Sequence, residues 1–252
     1  MMRASFKAPL LLLGLLMGLL AWLRLAGPEP ARGLGPGNGA VPDFSQYNDV
    51  AEKKKAFFGY LRPLVEAENA RILSERNRLK TLLAKKKLSL AEQQWLSSLA
   101  DRYDVPEPLD EAGRDMLLRR VDKLPVPLVL VQAANESAWG TSRFAVEGNN
   151  FFGQWCYVAG CGLVPEERDQ GANHEVARFP NPQASVRSYI HNINTNFAYK
   201  DLRQLRQAAR SKGLDPKAET LVQGLGRYSE RGGAYVDELL DMIGHNRRYM
   251  AE

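Results

Sequence analysis

The chain has 252 residues, of which 44% are hydrophobic and 25% charged, so it falls in the globular range and is long enough to bury a sizeable core. Its formal charge of +5 overstates the charge of the folded part, because three of the 34 bases, Arg3, Lys7 and Arg24, belong to the first segment and leave a balance of only +2. A domain so near neutrality lacks the basic face that nucleic-acid binding requires, and no nucleic-acid partner is expected.

The opening reads as an export segment. Arg3 and Lys7 precede an uncharged apolar run over residues 8–23, and Arg24 closes it. Two fates are compatible with it: a signal peptide over 1–26 that is removed, or a signal anchor left in the inner membrane, since sixteen apolar residues nearly span a bilayer. No Cys follows the run, which excludes a lipoprotein anchor. Residues 27–43 are rich in Gly and Pro with few large apolar side chains, and read as a flexible linker.

From residue 44 the pattern turns helical. Phe57, Phe58, Leu61, Leu64, Val65, Ile72, Leu73, Leu79, Leu82 and Leu83 recur at helical spacing, with Pro63 expected to kink or divide the stretch. Ser89 and Glu92 form a capping box for a second helix, and Asp110 caps a third that runs to about Lys123. Asn181 with Pro182, and Asp215 with Pro216, repeat a cap-then-proline start signal further on. The lysine triplets 53–55 and 85–87 read as solvated helix faces.

One stretch departs from this pattern. Across 149–179, Gly, Cys, aromatic and β-branched residues replace helical periodicity, and 174–179 alternates as a strand does, so a hairpin of two or three strands is expected to form a wall of the binding cleft. On that strand Glu175, Ala177 and Phe179 share one face, while His174, Val176 and Arg178 share the other. Cys156 and Cys161 lie in this region, and two cysteines so close in a chain with an export segment are expected to bond to each other. No metal site is expected, because none of the three histidines has ligand spacing to the cysteines. No cofactor is implied.

The chemistry concentrates in 126–150, VPLVLVQAANESAWGTSRFAVEGNN. Pro125 or Pro127 starts a helix whose next residues are apolar on every side, and such a helix lies in a core. Glu136 stands at its far end. Desolvation and the negative end of the helix dipole both favour the protonated carboxyl there, which is what a general acid needs. The alternative is a Glu that turns outward after the last turn.

Residues 132–153, QAANESAWGTSRFAVEGNNFFG, resemble the signature of the glucosaminidase-type domain of glycoside hydrolase family 73, in which A-x-E-S-x-W-G ends a helix and N-x-F-G follows. Over nearly everything from Asp43 onward, the chain is also similar to exported bacterial proteins that carry such a domain. That likeness takes in 43–79, the cysteine pair and the C-terminal run GLGRYSERGGAYVDELLDMI.

The resemblance implies a predominantly helical, lysozyme-like α+β domain over 124–252 with a small β-hairpin, preceded by a helical region over 44–123. It further implies cleavage of the β-linkage after N-acetylglucosamine in a peptidoglycan glycan strand, with Glu136 as acid, in a periplasmic or otherwise exported monomer. Ser137, Trp139 and Gly140 would shape the turn after Glu136, and Trp139 would wall the pocket or simply fill the core. Asn149 and Asn150 would orient the sugar or the Glu136 carboxyl, or else serve as turn residues. Tyr228 and Tyr235 lie in the C-terminal match, and Tyr235 would stand beside the cleft.

A second carboxylate is harder to place. Family members often carry a second Glu on the hairpin strand, and Glu175 is the nearest candidate for a catalytic base, although its surroundings, NHEVARF, depart from the family pattern. Glu166 and Glu167, beside Arg168 and Asp169, read as a solvated loop tip. A lytic transglycosylase on the same scaffold and a non-catalytic wall-binding protein are the competing readings.

Overall fold

A computed structural model describes residues 41–250 except 167, 169, 170 and 172. The export segment and all but the last residues of the linker therefore lie outside the described residues. Among these, no helix is long and apolar enough to cross a membrane.

The fold is predominantly helical α+β and lysozyme-like, with a three-stranded antiparallel sheet. Helix α1 (Val50–Leu83) is capped by Asp49, whose carboxylate accepts from the Glu52 amide. It runs straight through Pro63, against the expectation of a break. Leu61, Leu64 and Val65 flank the proline and are all buried, so packing on both sides outweighs the one backbone hydrogen bond that proline forgoes.

Helix α2 (Leu90–Arg102) starts at the predicted capping box of Ser89 and Glu92, and α3 (Glu111–Arg120) at the Asp110 cap. Helix α4 (Val126–Glu136) follows Pro125, and α5 (Arg143–Gly148) is capped by Ser142. The sheet consists of β1 (Trp155–Cys156), β2 (Gly162–Leu163) and β3 (Glu175–Ala177), with β3 in the centre. The central strand is shorter than expected. The Phe179 amide donates to Gly148 O at 2.8 Å and its carbonyl accepts from the Asn149 side chain at 2.9 Å, which draws the chain out of the sheet toward the end of α5.

Helix α6 (Pro182–Thr195) opens at the Asn181 cap as expected, and α7 (Lys200–Ser211) follows. The Asp215–Pro216 signal does not cap a helix. Helix α8 (Ala218–Val222) begins after Lys217 without a side-chain cap, because the Asp215 carboxylate is bound instead by Arg210 at 2.7 Å and Lys123 at 2.9 Å. Helix α9 (Gly233–Met250) closes the fold. One hydrophobic cluster extends from Phe44 to Met250, so the helices before and after residue 124 share a core, with α1 packed on α4, α6 and α9.

The segment that delivers the chain into α4 is held by buried polar groups. Asn69 on α1 brackets Leu124 with two hydrogen bonds, to its carbonyl at 2.7 Å and from its amide at 3.1 Å. Arg76 donates to Val121 O, and Arg206 to the carbonyls of Arg119, Asp122 and Lys123. Arg210 grips both Asp122 carboxylate oxygens at 3.1 Å, with Arg76 at 3.6 Å and Arg206 at 4.0 Å from the same group. Burial pulls the Arg206 guanidinium down to about 10, which still leaves it charged at neutral pH. Three guanidinium groups thus converge on one carboxylate that is 2% exposed. Removing a single partner from such a cluster leaves uncompensated buried charge, so Asp122→Ala is expected to destabilise the fold by about 3–5 kcal/mol in urea unfolding. A loss below about 1 kcal/mol would show that the cluster does not hold the start of α4.

Candidate active site

Helix α4 is apolar because it is enclosed. Leu128, Val129, Leu130, Val131, Ala133 and Ala134 are all buried. Its last residue, Glu136, emerges from this packing as a partly exposed carboxyl. Desolvation pushes the Glu136 carboxyl above its ordinary value, and nearby Glu238 adds to the rise. The Tyr235 hydroxyl, the Asn135 amide and the Arg231 guanidinium pull the other way. The net effect favours the proton.

The turn after Glu136 is unusual. Ala138, Trp139 and Gly140 are three successive residues in the left-handed region, at φ 49°, 58° and 78°. Ser137 braces them: its hydroxyl donates to Ala133 O at 2.6 Å and accepts from the Gly140 amide at 2.8 Å. Gly140 is required twice over, by its positive φ and because a Cβ there would stand 2.4 Å from the Phe44 ring. Trp139 meets Phe57 and Phe58 edge-on, with Lys54 over its ring at 5.2 Å. The same side chain also lines a groove of about 770 Å3 between the end of α4 and α9. Asn135 and Ala138, the neighbours of Glu136, line that groove too, together with Arg231, Asp237 and Glu238 from the other side.

Both asparagines bond to the backbone around the turn. Asn149 adopts φ 51° as the left-handed cap of α5, and its side chain donates to Phe179 O. Asn150 is 1% exposed and uses its whole amide: Nδ2 donates to Gln154 O and Ala177 O, while Oδ1 accepts from the amides of Phe152 and Gln154. The Asn150 amide is thus fully engaged by backbone groups, whereas Asn149 is partly exposed and commits one side-chain donor, to Phe179 O. What Asn150 does is pin the FFG turn to the sheet. That turn places Gly153, at φ 62°, so that a Cβ there would lie 3.8 Å from Glu136 Oε2.

The tyrosines converge on Glu136. Tyr235 on α9 is 2% exposed and donates to Glu136 Oε1 at 2.8 Å. Tyr228 stacks parallel to it, with ring centroids 5.5 Å apart, and donates to Phe152 O at 3.0 Å. Burial and the nearby Glu136 carboxylate hold both phenols well above their ordinary value, so they act as neutral donors. Behind Tyr235 stand two residues that sequence reasoning did not single out. Gln132 donates to the Tyr235 oxygen at 2.9 Å and accepts from the Tyr189 hydroxyl. The signal for Gln132 was present: it is the polar residue one turn before Glu136 in an otherwise apolar helix.

The hairpin carries the expected disulfide between Cys156 and Cys161. Glu175 pairs with Cys156 across the sheet, and its two oxygens accept the amides of Gly160 at 2.9 Å and Gly162 at 2.7 Å. These bonds hold its carboxyl below its ordinary value. A carboxylate so committed ties the disulfide loop to the strand and is a weak base. Glu175, Cys156 and Cys161 lie close enough to suggest a ligand set, but both sulfurs are consumed by the bond. Glu166, as expected, is exposed on the loop.

A carboxyl raised above its ordinary value at the end of a buried helix, faced by a tyrosine and by a glycine turn beside a small sheet, makes a candidate site on a lysozyme-like scaffold. The chain belongs to the glucosaminidase family, described as mannosyl-glycoprotein endo-beta-N-acetylglucosaminidase, which matches residues 116–248. It is 33% identical over 214 residues to Protein bax of Escherichia coli (strain K12), an overlap of 84% of this chain and 76% of that protein. No solved structure matches it.

The elevated Glu136 carboxyl has a consequence for stability. Between the ordinary carboxyl value of 4.5 and its raised folded value, the folded chain holds one proton more than the unfolded chain, so stability falls as pH rises through that window. Glu136→Gln removes this loss. Its melting temperature should match that of the wild type near pH 4 and exceed it at pH 8; a constant offset across pH would contradict the elevated value.

Proposed function

We propose that the chain hydrolyses the β-1,4 bond after N-acetylglucosamine in peptidoglycan, with Glu136 giving its proton to the leaving oxygen. The observation that carries this reading is the placement of Glu136: desolvated at the end of α4, hydrogen-bonded by Tyr235 on one oxygen and open beside Gly153 on the other. Membership of the glucosaminidase family supports a glycan substrate. The disulfide and the apolar run of residues 8–23 support action outside the cytoplasm, in the periplasm.

A second feature bears on the nucleophile. Because both Glu175 oxygens are taken by backbone amides, we assign it the role of tying the loop rather than activating water. A substrate with an N-acetyl group supplies its own nucleophile, the acetamido oxygen, and this reading therefore needs no second protein carboxylate on the hairpin. The same observation favours the transglycosylase alternative, in which the sugar's own hydroxyl closes an anhydro ring.

Digestion of purified peptidoglycan, followed by mass analysis of the fragments, separates the readings. The wild type should release fragments with N-acetylglucosamine at the reducing end, and Glu136→Gln should lose at least about 100-fold of that activity. Anhydro-muramic ends would assign the chain to the transglycosylases. Near-normal turnover by Glu136→Gln would remove Glu136 from the chemistry.

A further inference from the structure

Three buried hydrogen bonds lead to Glu136 in series. The Tyr189 hydroxyl donates to Gln132 Oε1, Gln132 Nε2 donates to the Tyr235 oxygen at 2.9 Å, and the Tyr235 hydroxyl donates to Glu136 Oε1 at 2.8 Å. Gln132 and Tyr189 are 0% exposed and Tyr235 2%, so water does not complete the series. We infer that Tyr189 and Gln132 are positioning residues that fix the direction of the Tyr235 hydrogen bond and so confine the acid proton of Glu136 to Oε2, the oxygen that faces Gly153. The inference deepens the acid role proposed for Glu136.

The argument turns on counting hydrogens. Gln132 is the hydrogen-bond partner of the Tyr189 hydroxyl among the described residues. Were the Gln132 amide reversed, its nitrogen would face Tyr189 and the tyrosine's hydrogen would be left in the core without an acceptor, a cost of about 1–3 kcal/mol. With Oε1 toward Tyr189, both tyrosine hydrogens and one of the two Nε2 hydrogens find acceptors. Nε2 then has to face Tyr235, whose oxygen is occupied as an acceptor and whose hydrogen is left pointing at Glu136. Oε1 of Glu136 accepts that hydrogen, and because the carbonyl oxygen of a carboxyl group is the stronger acceptor, the bond favours the proton on Oε2. Gly153 leaves that side open, since its missing Cβ would otherwise stand 3.8 Å away.

Tyr189 is also fixed mechanically. Its ring stacks on Phe152 with centroids 4.0 Å apart, one residue before Gly153, so the same side chain sets the hydrogen-bond direction and supports the turn that faces Oε2. The other groups acting on or with Glu136 are Glu238 and Arg231 at α9, Asn135 beside it, and the neutral phenols Tyr199 and Tyr228. None of them takes part in the series.

The test is a titration of Glu136 by carbon NMR in full-length chain labelled at the glutamate carboxyl carbon, with Glu136→Gln identifying the signal. Tyr189→Phe keeps the stacked ring but frees the Gln132 amide to turn and accept the Tyr235 hydrogen. Glu136 then loses a donor, and its midpoint should move up by about one pH unit. Tyr189→Phe combined with Gln132→Met removes the competing acceptor, and the midpoint should return to within a few tenths of wild type. Gln132→Met alone should likewise stay near wild type, which keeps the test open if the double variant does not fold. An unmoved midpoint in Tyr189→Phe, or a rise in Gln132→Met as large as in Tyr189→Phe, would overturn the inference. No substrate is needed, so failure here is distinct from failure of the hydrolytic reading, which rests on digestion by Glu136→Gln.

Discussion

Everything at this site depends on α4 being enclosed. A helix surrounded by α1, α9 and the short α8 has no wet face, so a carboxylate at its end meets apolar packing on the side of the helix and water only beyond its last turn. Ionising Glu136 there costs more than it does at a surface, so its carboxyl stands above the ordinary value. Had α4 been amphipathic, the same glutamate would be an ordinary surface acid. The raised affinity of Glu136 for its proton is therefore a property of the packing and is set by residues as distant in sequence as those of α1.

Holding an apolar helix in register requires polar joints at its ends, because apolar contacts alone do not fix rotation or slide. At the start of α4, Asn69, Arg76, Arg206 and Arg210 bind the carbonyls and the carboxylate of residues 119–124. At its far end, Ser137 closes a turn of three left-handed residues, and Asn150 spends three of its four hydrogen bonds on the loop that presents Gly153 and the fourth on Ala177 of β3. Glu175 does the same for the disulfide loop. The pattern is consistent: Ser137, Asn150 and Glu175 satisfy backbone groups, whereas the buried Tyr235 hydroxyl is spent on the partly exposed Glu136.

The sequence revealed the helices best where local chemistry decides them. The Ser89 box, the Asp110 cap and the Asn181–Pro182 start are contacts between residues three apart, and each formed as read. It misled where distant groups compete. Asp215 looked like a cap but is claimed by Arg210 and Lys123, and Pro63 looked like a break but lies within a helix held by core contacts on both sides. Glu136 was legible because desolvation follows from an apolar run. The tasks of Asn150 and Glu175 were not, since an amide or carboxylate reads as available until its partners are known, and those partners lie 27 and 15 residues away. Tyr189 gave no signal, because its link to Gln132 spans 57 residues.

In the proposed reaction the scissile bond lies beside Oε2 of Glu136, on the Gly153 side. The most direct measurement is a crystal structure of the Glu136→Gln chain with a peptidoglycan tetrasaccharide. The account predicts a glycosidic oxygen about 2.6–3.2 Å from the side-chain atom that replaces Oε2, with a sugar ring against Gly153 and the Tyr235 hydroxyl still on the other atom. A tetrasaccharide seated instead in the larger groove of about 1040 Å3 lined by Leu82, Leu88, Gln93 and Val105, with no sugar atom near residue 136, would contradict it.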